Sequence, residues 1–331
     1  SFTDSVGAFI RQAAHDDDVL AIKMTMYRTS ERTQIINSLI EAAQSGKQVA
    51  VVVEIKARFD EQANIEWARI MEQAGVHVAY GVVGLKTHCK TALVVRRERD
   101  GIRRYTHIGT GNYNADTARI YEDIGLLTAD DQIAEDVSNL FNALTGYSEQ
   151  TRYNRLVVAP HGVRSTLLAM IESESHHPDG HILMKANSLV DTRVIDALYE
   201  ASQRGCRIDL IIRGICCLLP GVPAMSENIT VSSVVGRYLE HSRLYRFGSE
   251  ARGRTLLMGS PDPMPRNLDG RVEALVPIEA PTVLVELEQI IELYLGPDIS
   301  SWFLDADGSW QHRPGEDLHR ILAARHEGDP R

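Results

Sequence analysis

The chain states one motif twice, and no other feature of the sequence constrains its fold as strongly. An apolar run at Ile22-Lys23-Met24 leads to Ile36-x-x-Leu39-x-Glu41-Ala42, then Gly46, then a second apolar run over 49–55. Later, Leu183-Met184-Lys185 leads to Ile195-x-x-Leu198-x-Glu200-Ala201, then Gly205, then 208–212. From Ile36 to Val53 the two copies run in step without a gap. Downstream come His88-Cys89-Lys90 in the first copy and His241-Ser242-Arg243 in the second, with Gly111-Asn112 and Gly259-Ser260 beyond them. This period exceeds the roughly 20–50 residues of solenoid repeats, so it marks a duplicated domain. Two such halves can face each other and each bring one histidine and one base to a shared cationic pocket. That layout suits the movement of a phosphoryl group.

At 331 residues the chain has room for about two domains of roughly 100–200 residues. Its 44% hydrophobic and 24% charged content is that of an ordinary globular protein rather than a disordered one. No run approaches the roughly 18 apolar residues of a membrane span. The Ser1 start carries no basic-then-apolar leader and reads as trimmed, so an upstream segment is expected. A net charge of −10 argues against a nucleic-acid surface held by bulk electrostatics, so any anion must be bound by local bases. Cys89, Cys206, Cys216 and Cys217 have neither zinc-type spacing nor a disulfide-framework pattern. They are expected to be reduced thiols of a cytoplasmic protein.

Strand-like runs fall at 20–27, 49–55, 76–82, 91–96 and 104–108, with helical periodicity at 32–45 and 64–74. This alternation predicts an α/β fold, with sheets flanked by helices. Periodicity lapses over 146–155, which puts a first domain at 1–150 and a second at 151–331. In the second, helices are expected at 162–173 and 283–295, and strands near 182, 229–235, 243–247, 255–258 and 271–277. After Gly296 only a short helix near 318–324 is expected.

His88 and Lys90, two apart at a strand start, should project from one sheet face. A neutral imidazole is a competent nucleophile toward phosphorus, and the ammonium offsets phosphate charge. Alone, the pair reads equally well as a surface histidine beside a solvated lysine; its duplicate, His241 with Arg243, favours the functional reading. Gly109-Thr110-Gly111-Asn112 resembles a tight loop whose N–H groups could meet an anion, though such a sequence is usually only a turn. Arg28, Arg58 and Arg213 follow strands whose carboxyl ends are where ligands of open α/β sheets gather. Arginine suits phosphate, being bidentate and always charged. Each could instead pair with Glu54 or Asp60. Tyr121 could offer an aromatic face to a base, or simply pack.

Taken together, Ile22-Lys23-Met24-Thr25-Met26-Tyr27-Arg28, Glu54-Ile55-Lys56-Ala57-Arg58-Phe59-Asp60-Glu61, Gly84-Leu85-Lys86-Thr87-His88-Cys89-Lys90 and His107-Ile108-Gly109-Thr110-Gly111-Asn112-Tyr113-Asn114 resemble the C-terminal half of bacterial polyphosphate kinases. Asn187-Ser188-Leu189-Val190-Asp191, Ile212-Arg213-Gly214, Tyr238-Leu239-Glu240-His241-Ser242-Arg243 and Arg266-Asn267-Leu268-Asp269-Gly270-Arg271-Val272-Glu273 extend the resemblance through the second half. That family is similar to the phospholipase D superfamily, which implies two tandem phospholipase D-like α/β domains. The resemblance implies that His88 is the phosphorylated nucleophile, that His241 contacts nucleotide or assists proton transfer, and that Lys90 supports catalysis. It implies phosphate or nucleotide binding for Arg28, Arg58, Tyr121, Arg213, Arg243 and Arg271. Arg28 and Arg58 match a magnesium site, and since arginine is no direct Mg²⁺ ligand they are expected to act through phosphate oxygens.

The expected partners are therefore ATP, ADP and inorganic polyphosphate, with Mg²⁺, no nucleic acid, no membrane span, and a homo-oligomer in the longer protein. The family's upstream domains are missing, so reduced activity is expected. Two rivals stay open. A phospholipase D-like phosphodiesterase would use the same histidines, but those enzymes usually carry Asp where Val95 stands. A non-catalytic polyphosphate-binding module would need no phosphohistidine at all. In Ser260-Pro261-Asp262-Pro263-Met264, prolines also stand where the family usually has Ala and Trp.

Overall fold

The computed structural model describes residues 2–26, 34–54, 61–146, 148 and 151–327. Two compact units emerge. The first contains Ser1–Arg119, Asp123–His161 and Asp269–Val276; the second contains Ile120–Glu122, Gly162–Leu268 and Pro277–Arg331. Each therefore includes a short segment from the other half of the sequence.

Unit 1 holds β1 (Val19–Met26), β2 (Gln48–Val53), β3 (His77–Ala79), β4 (Lys86–Thr87), β5 (Lys90–Glu98) and β6 (Gly101–Gly109). Next in the chain is β7 (Tyr121–Glu122), a strand of unit 2, and then β8 (Gly125–Thr128), back in unit 1. The main sheet of unit 1 runs β3-β2-β1-β5-β6-β8. The pairs among β1, β2 and β3 are parallel, whereas β5, β6 and β8 join antiparallel. Ile22 and Met24 of β1, Val49 and Val51 of β2, and Ile36 and Leu39 of the crossover helix α2 (Gln34–Gln44) form one buried core with Ile10 of α1 (Ala8–His15). Each fully buried aliphatic side chain of this kind contributes roughly 1.5–3 kcal/mol of transfer free energy. Helix α3 (Glu61–Gln73) leads into β3.

Helix α4 (Asp131–Leu144) was not foreseen. Its N-cap Asp130 accepts from the Ile133 N–H at 2.9 Å, and Ile133, Val137, Leu140, Phe141 and Leu144 are buried. Buried Asp136 accepts the backbone N–H groups of Asn154, Arg155 and Leu156 at 2.9, 2.5 and 2.9 Å. This pins the chain ahead of β9 (Val157–Val158).

Unit 2 repeats the plan. Helix α5 (Val163–Ser175), β10 (His181–Ala186), α6 (Thr192–Gln203), β11 (Arg207–Ile212) and β12 (Ile229–Ser233) precede β13 (Leu239–Glu240), β14 (Leu244–Phe247) and β15 (Thr255–Gly259). The order β12-β11-β10-β14-β15 repeats β3-β2-β1-β5-β6. The central parallel pairs also share six matched positions, from Ala21↔Gln48 to Met26↔Val53 and from His181↔Arg207 to Ala186↔Ile212. Gly46 and Gly205 end the two crossover helices with φ of +89° and +91°, a left-handed cap that favours glycine. The matched strand orders thus show two tandem α/β units built on one plan, as expected for tandem phospholipase D-like domains.

After the short helix α7 (Pro265–Leu268), β16 (Arg271–Val272) and β17 (Ala274–Pro277) precede α8 (Pro281–Leu295). One expectation fails here. Beyond Gly296 the chain forms a hairpin, β18 (Ser301–Leu304) and β19 (Trp310–Arg313), before α9 (Leu318–Glu327). Strand β18 extends the sheet beside β12, so tertiary pairing stabilises strands too short to show a period.

Candidate functional site

In unit 1, β4 pairs in parallel with β16, Arg271 opposite Lys86 and Val272 opposite Thr87. The residues that directly follow these two strands are His88 and Glu273. Both the His88 and Cys89 N–H groups donate to the Val272 carbonyl at 2.9 Å. His88 consequently lies ahead of β5, which begins at Lys90, and not at the start of that strand as the two-residue spacing predicted. Side chains near the carboxyl ends of β1 and β2 brace this step. Thr25 Oγ1 donates to the Cys89 carbonyl at 2.8 Å, and a Glu54 carboxylate oxygen accepts the Thr87 N–H at 2.9 Å.

The His88 imidazole is nearly buried, with Nδ1 2.8 Å from each carboxylate oxygen of the fully buried Glu273. A carboxylate can only accept, so Nδ1 carries the proton and Nε2 keeps its lone pair. The buried Lys90 ammonium donates to the His88 carbonyl. Arg271 Nη1 lies 3.8 Å from Glu273 Oε1. Burial, reinforced by Glu273, pushes the Cys89 thiol up to about 12, which leaves it inert. In the glycine loop, the Thr110 N–H donates to the Ile124 carbonyl and so is not open to an anion. Gly111 has no left-handed backbone; a Cβ there would meet Asp123 Oδ2 at 2.3 Å.

Unit 2 carries a related arrangement. Strand β7 pairs in parallel with β13, Tyr121 opposite Leu239 and Glu122 opposite Glu240. The rings of Tyr121 and His241 lie 4.9 Å apart at 52°. Arg243 folds back on the histidine that precedes it by two residues. Its Nη1 donates to the His241 carbonyl at 2.6 Å and lies 3.2 Å from Nε2. Lys90 makes the equivalent contact in the first half.

A buried chain of polar contacts continues from Arg243 to Asp262 at 3.2 Å, then from Asp262 to the Asn187 N–H at 2.7 Å. Asn187 Oδ1 accepts from Arg213 Nε and Nη2 at 2.9 and 2.7 Å. Although burial opposes it, Arg243 and Asn187 hold the Asp262 carboxyl below its usual range. Burial first, then repulsion from Arg243, lowers the Arg213 guanidinium from its ordinary value. The run containing Pro261 and Pro263 therefore delivers Asp262 to this network.

The described residues thus group His88, Lys90 and Arg271 in unit 1, and Tyr121, His241, Arg243 and Arg213 in unit 2. Arg28 and Arg58 lie outside the described residues. Glu273, Asp262, Asn187 and Glu122 occupied the quoted motifs or their flanks without being given roles, because only three-dimensional pairing brings them to the histidines and arginines.

Residues 1–150 match the family described as "Polyphosphate kinase C-terminal domain 1", and residues 156–323 match "Polyphosphate kinase C-terminal domain 2". The chain belongs to the polyphosphate kinase family. A polyphosphate kinase of Mycobacterium marinum is 56% identical over 324 residues, covering 96% of this chain and 44% of that protein. The crystal structure of polyphosphate kinase from Porphyromonas gingivalis superposes with a TM-score of 0.89 at 37% identity, covering 99% of this chain and 52% of that one. The chain therefore spans about half the length of these polyphosphate kinases. Yeast tyrosyl-DNA phosphodiesterase shares the fold alone, with a TM-score of 0.52 at 9% identity over 81% of this chain and 84% of that one.

Among the described residues no group of three His, Cys, Asp or Glu is arranged to hold a metal ion. No described helix is long and apolar enough to cross a membrane, and all four cysteines are free.

Proposed function

We propose that this chain carries the phosphotransfer centre of a polyphosphate kinase, in which His88 takes the γ-phosphoryl group of ATP and passes it to inorganic polyphosphate. The observation that supports this most is the buried His88–Glu273 pair. It fixes the tautomer and points the nucleophilic lone pair to Nε2. The Nε2 lone pair attacks the γ-phosphorus, an N–P bond forms, and the bond from that phosphorus to the β-phosphate oxygen breaks as ADP leaves. A terminal oxygen of polyphosphate then attacks the same phosphorus, the N–P bond breaks, and the imidazole regains its lone pair. Positive charge developing on the ring is offset by Glu273. Run backward, the same two displacements make ATP from polyphosphate and ADP.

The unit 2 cluster has the chemistry for nucleotide recognition. Tyr121 offers an aromatic face for adenine, and Arg213 a guanidinium for phosphate. His241 serves as the second histidine, at the nucleotide or in proton transfer, with Arg243 beside it. Arg271, Arg28 and Arg58 are assigned to phosphate oxygens. Magnesium enters this reading only as the companion of those phosphates.

The test is to incubate the protein with γ-labelled ATP, Mg²⁺ and polyphosphate, both as this chain and joined to the remaining half found in its relatives. Label should enter polyphosphate through an acid-labile, alkali-stable protein adduct. Cleavage of a phosphodiester instead would favour the phosphodiesterase reading. Polyphosphate binding without any label would favour a binding module.

A further inference from the structure

One buried cluster of unit 2 centres on His319. His319, at the start of α9, is 2% exposed, and a Cβ on Gly236 would lie 2.6 Å from its Nδ1, so backbone packs directly on the ring. The Tyr238 N–H donates to His319 Nδ1 at 3.1 Å. Nδ1 is thus an acceptor, and the ring proton sits on Nε2, which donates to Glu240 Oε1 at 2.7 Å. The other oxygen of Glu240 receives the Tyr294 hydroxyl at 2.6 Å and the Lys185 ammonium at 2.7 Å. Lys185 also meets Glu122 Oε2 at 2.9 Å and Ser242 Oγ at 2.7 Å, and Glu122 accepts the Ser242 N–H at 3.2 Å. Asp317 Oδ1 lies 4.0 Å from His319 Nδ1 and caps the helix by accepting the His319 N–H at 2.8 Å.

The residues on both sides of His241 are therefore locked. Glu240 is held by the C-terminal helices through His319 and Tyr294, and Ser242 by Glu122 and Lys185. An imidazole suits the His319 position because one rigid ring both accepts from Tyr238 and donates to Glu240. Lys185 already supplies the positive charge.

We propose that His319 is a positioning residue that sets the place of His241 by holding Glu240, so that helix α9 helps to shape the Tyr121–His241 nucleotide site. The functional part of this inference rests on the reading of that site as nucleotide-binding; the geometric part does not.

Three variants test it. His319→Gln retains an N–H donor at the Nε2 position, His319→Phe keeps the bulk without a donor, and His319→Asn carries an amide too short to reach Glu240. Two readouts are needed: the imidazole resonances of His241 by NMR, and KM for ATP against kcat. In His319→Phe and His319→Asn the His241 resonances should move and the KM for ATP should rise about tenfold, with a smaller change in kcat. His319→Gln should restore both. If His319→Phe fails to fold, His319→Asn carries the comparison. Equal effects of Gln and Asn, or unmoved His241 resonances in every variant, would overturn the proposal. If the wild-type protein binds no ATP, the nucleotide reading fails, and the resonances alone still decide whether His319 positions His241.

Discussion

His88 and Glu273 lie 185 residues apart in sequence, yet Nδ1 of the histidine is 2.8 Å from both oxygens of the carboxylate. The parallel pairing of two two-residue strands, 86–87 and 271–272, brings them together. Glu273→Gln keeps an acceptor for Nδ1–H but removes the charge that offsets the ring. Phosphorylation of His88 should slow by about a hundredfold or more, as it does when a catalytic histidine loses its orienting carboxylate. Rapid-quench labelling measures this, and an unchanged rate would remove Glu273 from the mechanism.

The Asp262 carboxylate lies 3.2 Å from the buried Arg243 guanidinium, and it also anchors Asn187. Asp262→Ala should destabilise unit 2 by about 3–5 kcal/mol, since it removes a carboxylate paired with a buried guanidinium and hydrogen-bonded to Asn187. Asp262→Asn should cost less because its amide oxygen still accepts hydrogen bonds. Urea unfolding of both variants at neutral pH checks the order.

How much of this was legible in the sequence depends on where the signal lies. The duplicated strand–helix–strand core could be read because Ile36, Leu39, Ile195 and Leu198 keep helical spacing between apolar runs, and Gly46 and Gly205 mark equivalent caps. His88, His241 and Arg213 could be picked out by motif and by strand-end position. Glu273 could not, since a two-residue strand has no periodicity and its partner is set by the fold. The 301–304 and 310–313 hairpin was missed although Asp307-Gly308 is a turn signal, because its strands are short and partly exposed. Helix 131–144 was overlooked even though Asp130 and the spacing of Ile133, Val137, Leu140 and Phe141 announce it.

Acid should weaken the protein in two successive, slightly overlapping windows. Burial holds the His107 imidazole at about 4, against an ordinary 6.5. Below pH 6.5 the unfolded chain binds a proton that the folded one refuses, so stability falls from pH 6.5 to about 4, by on the order of 3 kcal/mol. Glu240 titrates at about 2 instead of 4.5: burial acts to raise it, but Lys185, His319 and Tyr294 prevail. Its contribution, also on the order of 3 kcal/mol, is full above pH 4.5 and lost as pH falls toward 2. Denaturant midpoints at pH 7, 5 and 3 should show both drops, and His107→Gln should flatten the first alone.

Tyr121→Leu keeps apolar bulk but loses the aromatic face. If that face stacks on adenine, the KM for ATP should rise about tenfold with little change in kcat, given roughly 1–3 kcal/mol for base stacking. Steady-state kinetics with ATP varied at saturating polyphosphate measures it. An unchanged KM would reduce Tyr121 to packing against His241.

The most direct measurement is to map the phosphate by mass spectrometry under alkaline conditions after a brief exposure to ATP and Mg²⁺. Our account predicts a phosphoryl group on His88 Nε2, discharged by added polyphosphate or ADP and missing from His88→Ala. A stable adduct at any other residue, or label reaching polyphosphate while His88 stays unmodified, would contradict it.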